Sequence, residues 1–280
     1  MTSAFEQSFK NKLQTIARER NLTPAEVWQN VIQERFLVRL CHSPYCNKFI
    51  LKGGALLARY VDLGRETKDL DFSVRQLQSN VNHLTKVIKH IISIDLEDGF
   101  LFKNVIVDPL EHFHMEYAGI RIRMDACLGK ARLPLFIDLG FGDLVKAKEE
   151  KITLLANLKG PLFEEDVHVH CYPREFIFAE KLETVVYRGR ENSRMKDYHD
   201  LYTLVHEERL LNKEETIKVV GAVFNHRRTP LILPLIFDPQ ALTSLQNYWR
   251  RYRQGSAILA RLPSHILQVI EAVNMWLGYE

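Results

Sequence analysis

The chain has 280 residues, enough for one large domain or two and for a sizeable core without disulfide or metal staples. Its 46% hydrophobic and 26% charged residues are those of an ordinary globular protein, which excludes a disordered or low-complexity chain. Net charge is only +3, so the molecule is not a polycation, and any nucleic-acid footprint must be local.

Cys41, Cys46, Cys127 and Cys171 fit no zinc template, and reduced thiols are the plain reading. The first twenty residues are amphipathic and lack the apolar segment of a signal peptide. No apolar run approaches the roughly 20 residues that span a bilayer. A soluble, cytoplasmic protein with no membrane partner is expected.

Three regions separate by pattern: an N-terminal helical segment (1–46), a sheet domain (47–171) and a helical C-terminal domain (172–280). In the first, Thr23-Pro24-Ala25-Glu26 combines a capping box with proline at the first helical position. Val27, Val31, Phe36-Leu37 and Leu40 follow at roughly helical spacing. In the second, Phe49-Ile50-Leu51 reads as a strand ending at Gly53-Gly54, and 55–60 as a helix. Leu70-Asp71-Phe72-Ser73-Val74 alternates like a strand, and 81–92 has a helical face. Strands are predicted over 101–107, 120–124 and 135–139. In the third, helices are predicted over 173–188, 193–206 and 262–277, with Pro230 and Pro234 breaking the pattern between. Strands mixed with helices, then helices alone, predict an α+β (mixed α/β) fold.

Three features carry chemistry. Lys52-Gly53-Gly54 follows a strand; paired glycines there let backbone amides approach an anion, and a helix N-terminus behind them favours phosphate. A simple tight turn is the bland reading. Asp69 and Asp71, two apart on a strand, point to one face, where like charges repel unless neutralised. Mg²⁺ does so with oxygen ligands and substrate phosphates, whereas two solvated acids need nothing further. Asp138 lies between Ile137 and Leu139 in an apolar strand, where an unpaired carboxylate is costly. It is either a third metal-binding acid or the partner of Arg121 or Arg123.

A glycine turn, an Asp-x-Asp strand fifteen residues later and a distant apolar-Asp-apolar strand resemble the order found in the polymerase-β-like nucleotidyltransferase superfamily. A closer resemblance is to the AbiEii/AbiGii nucleotidyltransferase toxins. It is carried by Lys52-Gly53-Gly54-Ala55-Leu56-Leu57, Arg65-Glu66-Thr67-Lys68-Asp69-Leu70-Asp71-Phe72 and Ile137-Asp138-Leu139-Gly140-Phe141-Gly142-Asp143. It continues in Tyr172-Pro173-Arg174-Glu175, Ala179-Glu180-Lys181-Leu182-Glu183-Thr184 and Arg194-Met195-Lys196-Asp197-Tyr198-His199-Asp200-Leu201-Tyr202. The family's common Arg-Asp reads Lys196-Asp197 here.

The resemblance implies a polymerase-β-like sheet domain and a transfer of NMP from an NTP, with Mg²⁺ on Asp69, Asp71 and Asp138. It implies that Lys181 and Asp197 belong to the catalytic set. Lys52, Gly53, Gly54, Thr67, Lys181 and Arg188 are then expected to hold the nucleotide. Helical spacing places Arg174, Lys181, Thr184 and Arg188 on one face, a cationic stripe suited to a triphosphate or simply a solvated face. The resemblance further implies a toxin of a type IV toxin–antitoxin or phage-defence pair, with a tRNA 3′ end or other RNA as acceptor and a cognate antitoxin as partner. Asn225-His226-Arg227-Arg228 and Tyr248-Trp249-Arg250-Arg251-Tyr252-Arg253 suit RNA backbone and stacking contacts. Snorkelling arginines around a half-buried Trp249 are the bland reading. A catalytically lapsed NTP-binding scaffold and a metal-dependent nuclease are the rival classes.

Overall fold

A computed structural model describes residues 3–110, 119–207, 209–255 and 259–279. The chain divides into two compact units. The first comprises 1–59, 67–143 and 147–171; the second comprises 60–66, 144–146 and 172–280.

The first unit runs α1 (Ser3–Glu19), α2 (Pro24–Cys41), β1 (Phe49–Lys52), α3 (Gly53–Leu57), β2 (Asp69–Val74), α4 (Val81–Ile92), β3 (Phe100–Leu110), β4 (Gly119–Leu128) and β5 (Ala131–Phe141). It continues through β6 (Lys148–Lys151), β7 (Ala156–Asn157), β8 (Gly160–Pro161) and β9 (His168–Cys171). Seven strands form one mixed sheet in the order β3-β4-β5-β2-β1-β9-β6, with β7 and β8 as a separate small hairpin. The alternation in β2 is realised as expected: Leu70 and Phe72 are buried, and Asp69 and Asp71 face the other way. Phe72 lies 6.4 Å from Phe36 of α2 and 5.6 Å from Phe49 of β1, which anchors the buried face.

The expected strands at 101–107, 120–124 and 135–139 are cores of the longer β3, β4 and β5. The helix expected over 55–60 is instead the single five-residue turn α3. Strands β6 to β9 were not legible, because two of them have only two residues and none shows a sustained period.

Helix α2 begins as read, with Thr23 and Glu26 closing the capping box. It is not amphipathic, however. Glu34, Arg35 and Arg39 are buried with its apolar residues. Arg39 donates two 2.8 Å bonds to Asp98 and one of 2.9 Å to the Phe100 carbonyl. The Arg35 guanidinium reaches Glu165 at 2.5 Å and lies 3.9 Å from the Phe163 ring centre. Charges this deep persist only when paired.

The second unit holds α5 (Arg174–Arg188), α6 (Met195–His206), α7 (Lys213–His226), α8 (Pro239–Arg253) and α9 (Ile266–Leu277). Helix α5 packs on α6 and α7, and α9 packs on α6 and α8. Asn212 and Asp238 cap α7 and α8 with side-chain oxygens. Pro230 and Pro234 lie in the connection between those two helices, where the sequence put a break. Trp249 is fully buried rather than half-buried, and its Nε1 donates to the Pro263 carbonyl at 2.8 Å.

Asp98 also accepts from the Phe100 amide at 2.9 Å. Asp98→Ala strands the Arg39 guanidinium in the core and is expected to cost about 3–5 kcal/mol, read as a lower midpoint in urea denaturation.

Candidate active site

The sheet register builds a charged cluster in the first unit. Lys52 of β1 pairs with Asp71 of β2, Asp71 with Asp138 of β5, and Asp138 with Arg121 of β4. Directly paired residues share a face. Lys52, Asp71, Asp138 and Arg121 therefore form one charged row across four strands, with a cation at each end and two carboxylates in the middle. Asp69, two residues before Asp71, is on the same face.

Each end of the row is tied. Lys52 donates to Asp143 at 2.7 Å, and that carboxylate is almost fully buried. Arg121 grips Asp138 with both prongs of its guanidinium, Nε at 2.7 Å and Nη2 at 2.6 Å. The Arg121 guanidinium is held above its usual range by the Asp138 hydrogen bonds and by the Asp138, Asp69 and Asp71 charges. Asp138 is thus paired with Arg121 and not with Arg123. Among the described residues no three of His, Cys, Asp or Glu are grouped so as to hold a metal ion.

Gly53 has a reason the sequence did not show. Its φ is +69°, and a Cβ there would lie 2.2 Å from Asp71 Oδ2. The glycine gives Asp71 room to sit against the turn, and no L residue takes that backbone angle without strain. The helix-dipole argument for this turn loses its force, because α3 is one short turn. Thr67 and Lys68, just before β2, are fixed through their carbonyls, which accept from Gln33 and Gln29 of α2 at 3.2 and 2.9 Å. The carboxylates of Asp69 and Asp71 offer oxygen donors only, on one face, beside a glycine cradle. This donor set fits a hard divalent cation.

The second unit carries its own cluster. Lys181 of α5 reaches Asp197 at 3.2 Å and Asp200 at 2.6 Å, both on α6. The spacing of three puts those acids on one helical face. Arg65 closes a fork on Asp200, Nε at 2.9 Å and Nη2 at 2.7 Å. Arg194 donates to Asp197 at 2.8 Å. Lys181, Arg65 and Arg194 thus share the two carboxylates Asp197 and Asp200. Burial pushes Asp200 up, but Lys181 and Arg65 outweigh it and hold the carboxyl at about 2. Burial likewise raises Asp197, and Lys181 with Arg194 brings it below its ordinary value. Burial lowers Lys181, and Asp200 and Asp197 more than restore it, so it stays charged.

The expected stripe of Arg174, Lys181, Thr184 and Arg188 is not one open cationic face. Arg174 stacks over the Tyr60 ring at 4.2 Å, Thr184 bonds the Glu180 carbonyl at 2.9 Å, and Lys181 lies in the ion cluster. Arg188 is exposed on the last turn of α5. Sequence reasoning gave Arg65 no role, although it stands inside a quoted motif. Asp200 likewise stands inside a quoted motif, and the fork from Arg65 gives it a structural partner. Arg194 and Asp143 were also passed over, because their partners are distant or unremarkable in sequence.

The chain holds a mixed sheet bearing a glycine turn and an Asp-x-Asp strand, and helices carrying a lysine–acid cluster. The family model described as "Nucleotidyl transferase AbiEii toxin, Type IV TA system" matches residues 35–267, and the chain belongs to that family. Similar solved structures include that of a candidate nucleotidyltransferase from H. pylori, at TM-score 0.52 and 14% identity, covering 89% of this chain and 93% of that one. JHP933 from Helicobacter pylori is similar at TM-score 0.50 and 13% identity, covering 89% of this chain and 90% of that one. At such identity the likeness is one of fold. No curated protein matches the chain.

Gly53→Ala pushes a methyl group into the Asp71 carboxylate. It is expected to lower nucleotidyl transfer on the order of 100-fold, the size of effect a catalytic group displaced by about 1 Å produces. Initial rates on the purified, folded variant measure it.

His199 of α6 gives a pH prediction. Burial pushes it down to about 4, and its Nδ1 is 2.8 Å from the Tyr252 hydroxyl. Between an unfolded value near 6.5 and this folded one, the unfolded chain binds the extra proton. Stability from this group is complete above the upper value and is lost as pH falls toward the lower, by up to about 3 kcal/mol. Urea denaturation from about pH 7 to pH 4 should show that loss, and His199→Gln should flatten the slope in the same window.

Proposed function

We propose that this nucleotidyltransferase moves an NMP from an NTP to a hydroxyl at the 3′ end of tRNA, with Mg²⁺ as cofactor. It thereby blocks translation in the cytoplasm as the toxin of a toxin–antitoxin or phage-defence pair. The observation that carries the reading is Asp71, seated against Gly53 and flanked on one sheet face by Asp69 and Asp138.

Mg²⁺, held by Asp69 and Asp71 with Asp138 as a further oxygen donor, would neutralise the triphosphate and lower the pKa of the acceptor hydroxyl. The chain's own residues do the rest. The Gly53-Gly54 backbone cradles phosphate, and Lys52 and Thr67 flank it. Lys181 neutralises charge on the departing pyrophosphate, and Asp197 holds Lys181 in place. Arg188, exposed at the end of α5, adds a further cation for the nucleotide. The acceptor oxygen forms a bond to the α-phosphorus as the bond to pyrophosphate breaks in line.

The RNA acceptor is supported by basic and aromatic side chains left exposed in the second unit. His226, Arg228, Tyr248, Arg250 and Arg251 are exposed. Three other members of the two basic clusters are engaged elsewhere. Arg227 is paired with Glu180 and Glu183, Trp249 is core, and Tyr252 bonds His199. As a type IV toxin, the protein has a cognate antitoxin as its further partner.

Incubation with each α-labelled NTP, Mg²⁺ and total tRNA tests the reading. The expected result is labelled, lengthened tRNA. Shortened RNA would indicate a nuclease, and no transfer to RNA, protein or small molecule with any NTP would indicate a lapsed scaffold. Asp71→Asn and Lys181→Ala should each lower transfer at least about 100-fold. Thermal melts check that both variants fold, and unchanged transfer in the first would refute the metal role.

A further inference from the structure

The charged row contains a competition. Arg121 spans both oxygens of Asp138, at 2.7 and 2.6 Å. Each oxygen keeps an outer lone pair, but a second cation on that carboxylate meets the guanidinium's charge and weakens the fork. The Arg121 side chain is 44% exposed, so it can swing away without opening the core. Asp138 is 23% exposed, and its register neighbour is Asp71. Arg123 lies two residues along β4 on the same face, but it pairs in register with Phe136 and not with an acid.

We infer that Arg121 is a positioning residue of the acid site: it occupies Asp138 as a built-in counter-cation, and a divalent cation that takes up that carboxylate does so in competition with it. The inference rests on the metal role given above to Asp69, Asp71 and Asp138. Its physical content is an exchange of one cation for another at a single carboxylate. The guanidinium keeps Asp71 and Asp138 from repelling each other, at the cost of weaker metal binding. Once displaced, it carries a positive charge beside the site, free to meet nucleotide phosphate.

Mn²⁺ binding to the nucleotide-free protein tests this without any turnover. Free Mn²⁺ is followed by electron paramagnetic resonance, with a thermal melt of every variant. Arg121→Gln should bind Mn²⁺ roughly three- to tenfold tighter than wild type, the size expected for removing one partly exposed, forked ion pair. Arg121→Lys, which keeps the charge and loses the fork, should fall between. Arg123→Gln, with the same loss of charge nearby, should leave affinity close to wild type. Arg121→Gln/Asp138→Asn should lose the gain, because Asp138 is the ligand released.

No tightening in Arg121→Gln and Arg121→Lys overturns the inference. So does an equal tightening in Arg123→Gln, or a gain that survives without Asp138. These failures differ from failure of the underlying reading. In that case neither wild type nor Arg121→Gln binds Mn²⁺ at a site that Asp71→Asn removes, and the inference falls with it.

Discussion

Two like charges side by side on one strand face are the constraint on which the first unit depends. Asp69 and Asp71 cannot stand together on a half-buried face without compensation. The fold answers in the plane of the sheet. The register aligns Lys52 on one side and Arg121 on the other, and Asp138 joins the row between them. The row places its cations at the ends and its acids in the centre. Beneath it, Leu70 and Phe72 hold β2 against α2 and β1, so the acids project from a rigid strand and not from a loop.

The second unit solves the opposite problem. A lysine among helices would lose its proton if left to burial alone. Asp197 and Asp200 keep Lys181 charged, and Arg65 and Arg194 share those acids with it. A charge network of this kind is weak as a source of stability, since each buried ion costs desolvation. It is effective at fixing where a charged nitrogen stands. Arg65 lies four residues before Asp69 in the chain, so one short sequence motif supplies both the fork on Asp200 and the acids of the sheet.

Much of this was legible in the residues. The Asp-x-Asp strand, the glycine turn and the apolar strand around Asp138 each follow from short-range pattern, and each is an element of the fold. The same holds for α2, α4, α5, α6 and α9, whose caps or apolar spacing are local. The two-residue strands β7 and β8 lack such signals and were lost. Helices α7 and α8 were missed although Asn212 and Asp238 cap them. Trp249 shows the limit of composition from the other side. Surrounded by arginine and tyrosine in sequence, it resembles a stacking platform, yet its ring is core and its nitrogen is satisfied by Pro263.

The sequence by itself determined which residues could do chemistry and the order of the strands and helices that carry them, because hydrophobic period, capping and glycine turns act over a few residues. Only the tertiary structure decided the partners. Whether Asp138 meets Arg121 or Arg123 turns on a strand register, since a slip of two residues would exchange them. Whether Gly53 serves a turn or an acid turns on how closely Asp71 approaches it. Whether Arg35 and Arg39 face solvent or the core turns on what covers α2. These are contacts between residues far apart in the chain, and no local pattern encodes the distance between them.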